Sequence, residues 1–255
     1  MAILELENVS IAFGGLKAID NVSFKVESQQ IFGLIGPNGA GKTTMFNIIT
    51  ANYKLDSGRV SFAGKNISHY KPNVIVNLGI ARTFQNIRLF HSMSVLENVL
   101  IGLHNAAKYS FFEAAFRLGR YFKEEKQIKE RAEWLLEYMG LSGKMHLNAN
   151  ALSYGDSRKV EIARALATNP KLLLLDEPAA GMNPRETQEL SALIFKMQKD
   201  FNLSVLLIEH DMPFVNALCE QVLVLDYGKQ LFCGTPKEAV NNQAVIAAYL
   251  GDFYA

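Results

Sequence analysis

Two patterns of apolar residues predict strands of different kinds. Apolar and polar positions alternate in residues 4–7 and 22–26, which predicts half-buried strands with one face on a core. Residues 31–35 and 172–175 are instead almost continuously apolar. Runs of this kind are typical of short strands that are covered on both faces.

The last third of the chain alternates predicted strands with predicted helices. Strands are expected at 172–175, 204–208 and 222–225, with helices at 184–199 and 213–219 between them. This alternation predicts parallel strands joined by crossover helices. The sequence therefore predicts an α/β core.

The middle of the chain has a different character. Residues 124–139 place apolar side chains on one helical face, and Gly140 is a suitable C-terminal stop. No strand pattern is evident between residues 90 and 150. We therefore predict a single domain in which 90–150 form a helical subdomain, inserted into a core made of 1–89 and 151–255.

The strongest chemical motif is the octapeptide at residues 36–43, Gly-Pro-Asn-Gly-Ala-Gly-Lys-Thr, which matches G-x-x-x-x-G-K-[ST] in full. It follows the apolar run at 31–35 and precedes a predicted helix at 44–50, which is the strand–loop–helix context of a phosphate-binding loop. Its glycines let backbone N–H groups turn inward around an anion, and the helix N-terminus adds positive potential. A chance glycine-rich turn is disfavoured because the motif and both flanking elements agree.

This loop predicts a site for a nucleotide triphosphate, ATP, with Mg²⁺. Lys42 is expected to reach the β- and γ-phosphates, and the Thr43 hydroxyl to bind the metal. The predicted nucleotide contacts in the loop are Gly36, Pro37, Asn38, Gly39, Ala40, Gly41, Lys42, Thr43 and Thr44. After the second apolar run, Asp176 is expected to hold Mg²⁺ through water, and Glu177 to act as general base on the attacking water. A pair of helix-capping carboxylates is the alternative interpretation, which the phosphate loop disfavours.

Bulk properties exclude several classes of protein. The 255 residues are 49% hydrophobic, enough for a substantial core. With 26 basic and 25 acidic residues the net charge is +1, so there is no excess of basic residues that would favour nucleic acid as a partner. No secretion signal and no membrane-spanning apolar run is evident, which predicts a soluble protein. The two cysteines form no C-x-x-C motif, which indicates thiols in a reducing compartment.

Residues 152–156, Leu-Ser-Tyr-Gly-Asp, open a predicted helix that Ser153 is suited to cap. With the phosphate loop upstream and the Asp-Glu pair downstream, the chain resembles the ATP-binding subunits of ABC transporters over nearly its whole length. The resemblance implies an α/β P-loop NTPase fold with a mixed β-sheet core, an N-terminal antiparallel β subdomain and a helical insert. It also implies that Ser153 and Gly155 contact a nucleotide bound by a second ATPase subunit.

The same resemblance shows two residues that differ from the family pattern, and it implies roles for three further residues. Tyr154 and Asp156 replace a glycine and the glutamine of the usual Leu-Ser-Gly-Gly-Gln, and an aspartate near a phosphate is expected to weaken the contact by like-charge repulsion. Gln85 would touch Mg²⁺ or water, and His210 would contact the γ-phosphate and the catalytic water. Phe13 is expected to stack on adenine, with a core aromatic as the alternative. The implied catalytic set is Lys42, Gln85, Glu177 and His210, and the implied metal set is Thr43, Gln85 and Asp176.

Three further runs, at 80–90, 175–181 and 208–212, resemble the ATPases of branched-chain amino-acid importers. This implies an ATP-hydrolysing subunit that works with integral membrane permease subunits, a second ABC ATPase that is identical or different, and indirectly an extracytoplasmic solute-binding protein. The implied location is cytoplasmic, peripheral on the inner face of the cell membrane. The solute follows from kinship alone, so importers of another amino acid or of an amide stay as alternatives.

Three other classes are weighed against this interpretation. A non-transport ABC ATPase usually joins two cassettes or carries long coiled-coil inserts, and neither pattern occurs here. A subunit that only clamps ATP is disfavoured by Glu177 and His210, although Tyr154 and Asp156 leave room for it. A P-loop kinase or GTPase would leave residues 152–156 unexplained, and the sequence has no Asn-Lys-x-Asp motif for guanine.

Overall fold

The structure, a computed structural model, describes residues 1–104 and 119–251. The chain divides into two compact units, one formed by Met1–Gln85 with Lys171–Ala255 and the other by Asn86–Pro170. Both boundaries predicted for the helical subdomain, at 90 and 150, fall inside the second unit, and that division of the domain stays a prediction. Residues 105–118 of the predicted subdomain lie outside the described residues.

The described strands and helices follow the expected order in most of the chain. The strands are β1 (Ala2–Phe13), β2 (Leu16–Glu27), β3 (Ile31–Ile35), β4 (Ser57–Phe62), β5 (Lys65–Asn66), β6 (Ile80–Arg82), β7 (Leu172–Asp176), β8 (Ser204–Ile208), β9 (Gln221–Asp226) and β10 (Lys229–Gly234). The helices are α1 (Lys42–Ile49), α2 (Pro72–Leu78), α3 (Val95–His104), α4 (Gly119–Tyr138), α5 (Tyr154–Ala167), α6 (Pro184–Asp200), α7 (Met212–Leu218), α8 (Pro236–Asn241) and α9 (Gln243–Gly251).

The first unit contains two sheets. One is antiparallel, with strand order β2-β1-β4-β5. The other has the order β10-β9-β3-β8-β7-β6, in which β9, β3, β8, β7 and β6 are parallel and β10 pairs antiparallel to β9. The predicted mixed sheet and antiparallel N-terminal sheet are therefore both confirmed.

Burial explains why the strands of the second sheet are so apolar. Every residue of β3, β7 and β8 is buried, as expected for strands that are covered on both faces. Because β3, β7 and β8 run parallel, their carboxyl ends meet at one edge of the sheet. The phosphate loop, the Asp176–Glu177 pair and His210 all follow these ends, so the topology gathers the predicted chemistry at that edge.

The second unit is helical in the part that is described. It contains α3, α4 and α5 with two short 3₁₀ turns. Of the apolar face predicted for this helix, Ala132, Leu135 and Met139 are buried and Ile128 is partly buried. Gly140 has φ +74°, a left-handed conformation that glycine adopts readily at the end of a helix.

Within the described residues, the helices are all too short or too polar to cross a lipid bilayer.

Candidate active site

The phosphate loop is held in a shape that two of its glycines make possible. Gly36 has φ +145°, and a Cβ atom there would lie 2.1 Å from the carbonyl oxygen of Leu225. Gly41 has φ +104°, and its Cβ would lie 2.7 Å from the carbonyl oxygen of Ala18. Since both contacts are with backbone atoms, no side chain can move aside, and any larger residue would displace the loop.

Lys42 folds back over this loop. Its Nζ donates hydrogen bonds to the carbonyl oxygens of Gly36 at 2.6 Å and Pro37 at 2.8 Å, and the side chain is buried. The ammonium group is therefore held at the concave side of the loop, directly at the N-terminus of α1. A phosphate oxygen bound there would meet both this charge and the N–H groups of the first helical turn.

A pocket of about 390 Å³ opens over the loop. Its lining residues are Leu16, Lys17, Ala18, Asn38, Gly39, Ala40, Gly41, Lys42, Thr43, Thr44, Gln85, Glu177, Tyr227 and Gly228. The structure therefore brings the phosphate loop, Gln85 and Glu177 to one pocket. Phe13 is not among the lining residues. It packs edge-on against Tyr53 with ring centroids 5.1 Å apart, and its stacking on adenine stays a prediction.

Part of this pocket was not anticipated from the sequence. Residues 226–229 predict only a turn, but that turn is docked on the phosphate loop. The Gly228 N–H donates to the Ala40 carbonyl oxygen at 3.0 Å, and the Gly228 carbonyl oxygen accepts from the Asp20 N–H at 2.8 Å. Tyr227, which is exposed, extends the pocket wall from this turn. The Asp-Tyr-Gly sequence signalled the turn but not what it packs against.

Asp176 ends β7 as a buried carboxylate with a partner that the motif does not include. Its Oδ2 accepts from Arg82 Nη2 at 2.7 Å, and the two side chains are 4% and 7% exposed. Arg82 also donates from Nη1 to Asn47 Oδ1 at 2.7 Å. The guanidinium therefore fixes the carboxylate at the end of the strand and neutralises it there.

Glu177 adopts an uncommon conformation beside two predicted partners. Its φ is +45°, a left-handed value that non-glycine residues seldom adopt. Its Oε2 accepts from Gln85 Nε2 at 2.8 Å, and its Oε1 lies 4.0 Å from Nδ1 of His210. The His210 side chain is 60% exposed. The structure thus places Glu177, Gln85 and His210 close together, as their predicted shared role requires.

The oxygen atoms at this edge of the sheet fit a hard divalent cation. The Thr43 hydroxyl and the Gln85 amide line the same pocket, and the Asp176 carboxylate lies at the adjoining strand end. Mg²⁺ commonly uses few protein oxygens of this kind and completes its shell with water and substrate phosphates. The residues present are therefore compatible with the predicted metal.

The predicted signature residues belong to the second unit. Ser153 is the N-cap of α5, and its Oγ accepts from the Asp156 N–H at 3.2 Å and donates to Asp156 Oδ2 at 2.8 Å. Ser153 and Tyr154 are exposed, whereas Gly155 is buried within this chain. The capping role predicted for Ser153 is confirmed.

Asp156 has a cationic partner that the signature motif does not contain. Lys144 Nζ donates to its Oδ2, the same oxygen that accepts from Ser153. Burial opposes ionisation of this carboxyl, but the hydrogen bonds from Lys144 and Ser153 outweigh it and hold the pKa of Asp156 below its usual value. The negative charge is thus largely compensated inside the chain, which reduces the repulsion expected from the sequence.

Comparison with known proteins identifies the family. The family described as ABC transporter matches residues 19–180, and a second family, described as branched-chain amino acid ATP-binding cassette transporter, matches residues 229–255. The chain therefore belongs to the ABC transporter family, as an ATPase subunit with the P-loop fold predicted from its sequence.

Similar proteins indicate which kind of ABC transporter ATPase the chain resembles. The chain is 42% identical over 250 residues to the high-affinity branched-chain amino acid transport ATP-binding protein BraF of Pseudomonas aeruginosa, covering 98% of both chains. It is 40% identical, with the same coverage, to LivG of Escherichia coli, which carries the same description. Among solved structures, the ADP conformation of an ATP-binding cassette of an ABC transporter aligns with TM-score 0.86 and 35% identity, over 98% of this chain and 99% of the other. The family resemblance inferred from the sequence is confirmed.

Proposed function

We propose that this chain hydrolyses ATP to drive uptake of branched-chain amino acids through a membrane transporter. The single observation that carries the catalytic part is the grouping of Glu177, Gln85 and His210 beside the phosphate loop. The solute is supported by the described roles of the relatives, because no pocket of an ABC ATPase needs to hold it.

The phosphate loop binds the triphosphate in this proposal. Backbone N–H groups within residues 38–44 donate to the phosphates, and Lys42 exchanges its carbonyl partners Gly36 and Pro37 for phosphate oxygens. Thr43, Gln85 and Asp176 would hold Mg²⁺, with Asp176 acting through water. When bound, Mg²⁺ neutralises the charge of the phosphate oxygens. Phe13 supplies an aromatic surface for the adenine.

Glu177 acts on the attacking water. Its carboxylate lines the pocket next to the phosphate loop, and the hydrogen bond from Gln85 orients one of its oxygens. The other oxygen, together with Nδ1 of His210, holds the water in line with the terminal phosphate. Lys42 stabilises the charge that develops there.

The second half of each site comes from another ATPase subunit. Ser153, exposed at the N-terminus of α5, contacts the nucleotide that a second, identical or different, ABC ATPase binds, and Gly155, although buried within this chain, would reach it through its backbone N–H. Closure of the pair is favoured because these contacts form only when nucleotide bridges the two subunits. The pair sits on the cytoplasmic face of membrane permease subunits, which receive solute from an extracytoplasmic binding protein.

Replacing Glu177 with glutamine tests the catalytic assignment. Glu177→Gln keeps the size of the side chain but cannot accept a proton, so we expect ATP to bind normally and kcat to fall by about 10²–10⁴-fold. The matched control is Glu189→Gln, an exposed carboxylate on α6 that pairs with Arg185, which should leave both quantities unchanged. Wild-type turnover by Glu177→Gln in the assembled transporter would refute the role of Glu177.

Transport tests the solute separately. Proteoliposomes that contain the chain and its co-purified membrane subunits should accumulate labelled leucine when ATP is supplied with the binding protein. Competition by unlabelled isoleucine and valine, but not by short amides, would distinguish branched-chain uptake from the alternatives. Competition by the amides alone would contradict the solute assignment while leaving the ATPase assignment intact.

A further inference from the structure

Glu209 is a buried carboxylate whose partners are backbone N–H groups. It follows β8 directly, and its side chain is 1% exposed. Its Oε1 accepts from the Ala179 N–H at 2.9 Å, and its Oε2 accepts from the His210 N–H at 3.1 Å. Burial raises the pKa of Glu209, and its hydrogen bonds with the backbone of Ala179, His210 and Asp211 oppose that rise.

This environment differs from that of two other buried carboxylates. Asp176 accepts from Arg82 at 2.7 Å, and Glu161 accepts from Arg158 at 2.8 Å. Within the described residues, the basic side chain near Glu209 is the His210 ring, with Nδ1 3.9 Å from Oε2, and that ring is mostly exposed. Burying a carboxylate without a firm cationic partner is costly, so stability alone does not account for a glutamate at this position.

The two segments that Glu209 joins carry the proposed general base and the proposed switch histidine. Ala179 lies two residues after Glu177, whose backbone is in the left-handed region. The Glu177 N–H donates to the carbonyl oxygen of Ile208 at 2.9 Å. Residues 177–179 are therefore tied to the end of β8 twice, once through backbone atoms and once through the Glu209 carboxylate.

We propose that Glu209 is a positioning residue for hydrolysis. Its carboxylate fixes the backbone after Glu177 against the backbone of His210, so that Glu177 Oε1 and His210 Nδ1 stay 4.0 Å apart beside the phosphate loop. An unfavourable backbone conformation persists only where its surroundings hold it, and Glu209 supplies that restraint at Glu177. This inference rests on the proposed function, because it assigns Glu177 and His210 to the reaction.

The test is a pair of substitutions measured in the full-length chain within its transporter. Glu209→Gln keeps the shape but replaces one acceptor oxygen by an amide group, so one backbone N–H loses its partner. We expect kcat to fall by up to about 10²-fold, as for small misplacements of catalytic groups, with the KM for ATP within about twofold of wild type. Glu209→Asp keeps the charge but is one methylene shorter and cannot span both segments, so its kcat should also fall. Glu161→Gln is the matched control, a buried carboxylate in the other unit whose loss should leave kcat unchanged at temperatures where it is folded.

Amide hydrogen exchange gives an independent readout. In Glu209→Gln, whichever of the Ala179 and His210 N–H groups loses its acceptor should exchange at least about tenfold faster than in wild type, while those of the phosphate loop keep their wild-type rates. Wild-type kcat in both Glu209 variants, or a parallel loss of kcat and ATP affinity, would overturn the positioning role. If wild-type protein itself failed to hydrolyse ATP, the proposed function would fall, and the exchange rates would still decide whether Glu209 joins the two segments.

Discussion

Replacing Arg82 with methionine should destabilise the first unit far more than replacing any exposed arginine. The Arg82 guanidinium and the Asp176 carboxylate are 7% and 4% exposed, and 2.7 Å separates Nη2 from Oδ2. Methionine keeps much of the side-chain volume but removes all five N–H donors. The Asp176 carboxylate would then be buried without its cation, and Asn47 Oδ1 would lose the donor that lies at 2.7 Å.

The size of the effect follows from these two losses. Removing one partner of a buried ion pair typically costs about 3–5 kcal/mol, because the remaining charge is uncompensated. Loss of the hydrogen bond to Asn47 adds about 1 kcal/mol. We therefore expect the free energy of unfolding of Arg82→Met to fall by about 4–6 kcal/mol, a large part of the ~5–15 kcal/mol that stabilises a typical domain.

Urea titration followed by circular dichroism measures this loss. Arg59→Met is the matched control, since Arg59 pairs with Glu7 at 2.6 Å but the two side chains are 55% and 41% exposed. That substitution should cost at most about 1 kcal/mol. The double variant Arg82→Met with Asp176→Leu should recover most of the lost stability, because an apolar pair can replace a buried ion pair at little cost. It should nevertheless be inactive, since Asp176 is a proposed metal residue.

Two results would refute this reasoning. A cost below about 1 kcal/mol for Arg82→Met, at an unchanged denaturant m-value, would mean that Asp176 does not depend on Arg82 for its charge balance. A double variant no more stable than the single one would mean that the loss came from packing around Phe46 and Phe84, whose rings lie 5.3 and 5.1 Å from the guanidinium carbon, and not from the buried charge.

Three further predictions use other parts of the structure. Lys144→Met should lower ATPase activity of the assembled transporter about fivefold, because ~1 kcal/mol of repulsion between Asp156 and the nucleotide phosphate is no longer compensated. Adding Asp156→Gln should restore the activity. A double variant as impaired as Lys144→Met would contradict this explanation. Gly36→Ala should lower the free energy of unfolding by about 2–4 kcal/mol in urea titration and abolish ATP binding, since its Cβ would lie 2.1 Å from a backbone oxygen. Burial raises the pKa of Cys219 to about 12, so its thiol stays protonated at pH 8. Iodoacetamide should therefore modify the exposed Cys233 alone. Labelling of Cys219 in the native protein, detected by mass spectrometry, would contradict its burial.

The elements that bury many side chains were predictable from sequence, and those that bury few were not. Residues 204–208 and 172–175 are apolar because β8 and β7 are covered on both faces, so they were found almost to the residue. The edge strand β10 pairs with β9 through backbone atoms while none of its residues is fully buried, so no apolar pattern marks it. The three-residue β6 is too short to show a period, and α2 buries Ile75 alone.

The same distinction applies to the site. The phosphate loop and the Asp176–Glu177 pair are contiguous in sequence, and their chemistry can be inferred from local spacing. The partners of those residues are contributed by distant segments. Gln85 reaches Glu177 across 92 residues, and Lys144 reaches Asp156 across 12. No local sequence pattern predicts such pairs, because a single lysine or glutamine on an exposed helix or loop looks the same in the sequence whether or not it has a distant partner.

The effect of Asp156, one of the two departures from the family pattern, depends on how far its charge is compensated. Taken alone, Asp156 places a negative charge where a phosphate is expected, and the sequence therefore favours a weakened half-site. In the structure one oxygen of that carboxylate is shared by Lys144 and Ser153, so a local cation offsets the added charge and the cap of α5 is retained. Because Ser153 Oγ donates to Asp156, the hydroxyl must be released from that hydrogen bond before it can make the proposed donation to a nucleotide phosphate. Lys144 favours that release, since it keeps Asp156 ionised and partnered when Ser153 turns away. The substitution at residue 156 is therefore compatible with an active signature as long as Lys144 is present, which is why the paired Lys144 and Asp156 variants are more informative than either one alone.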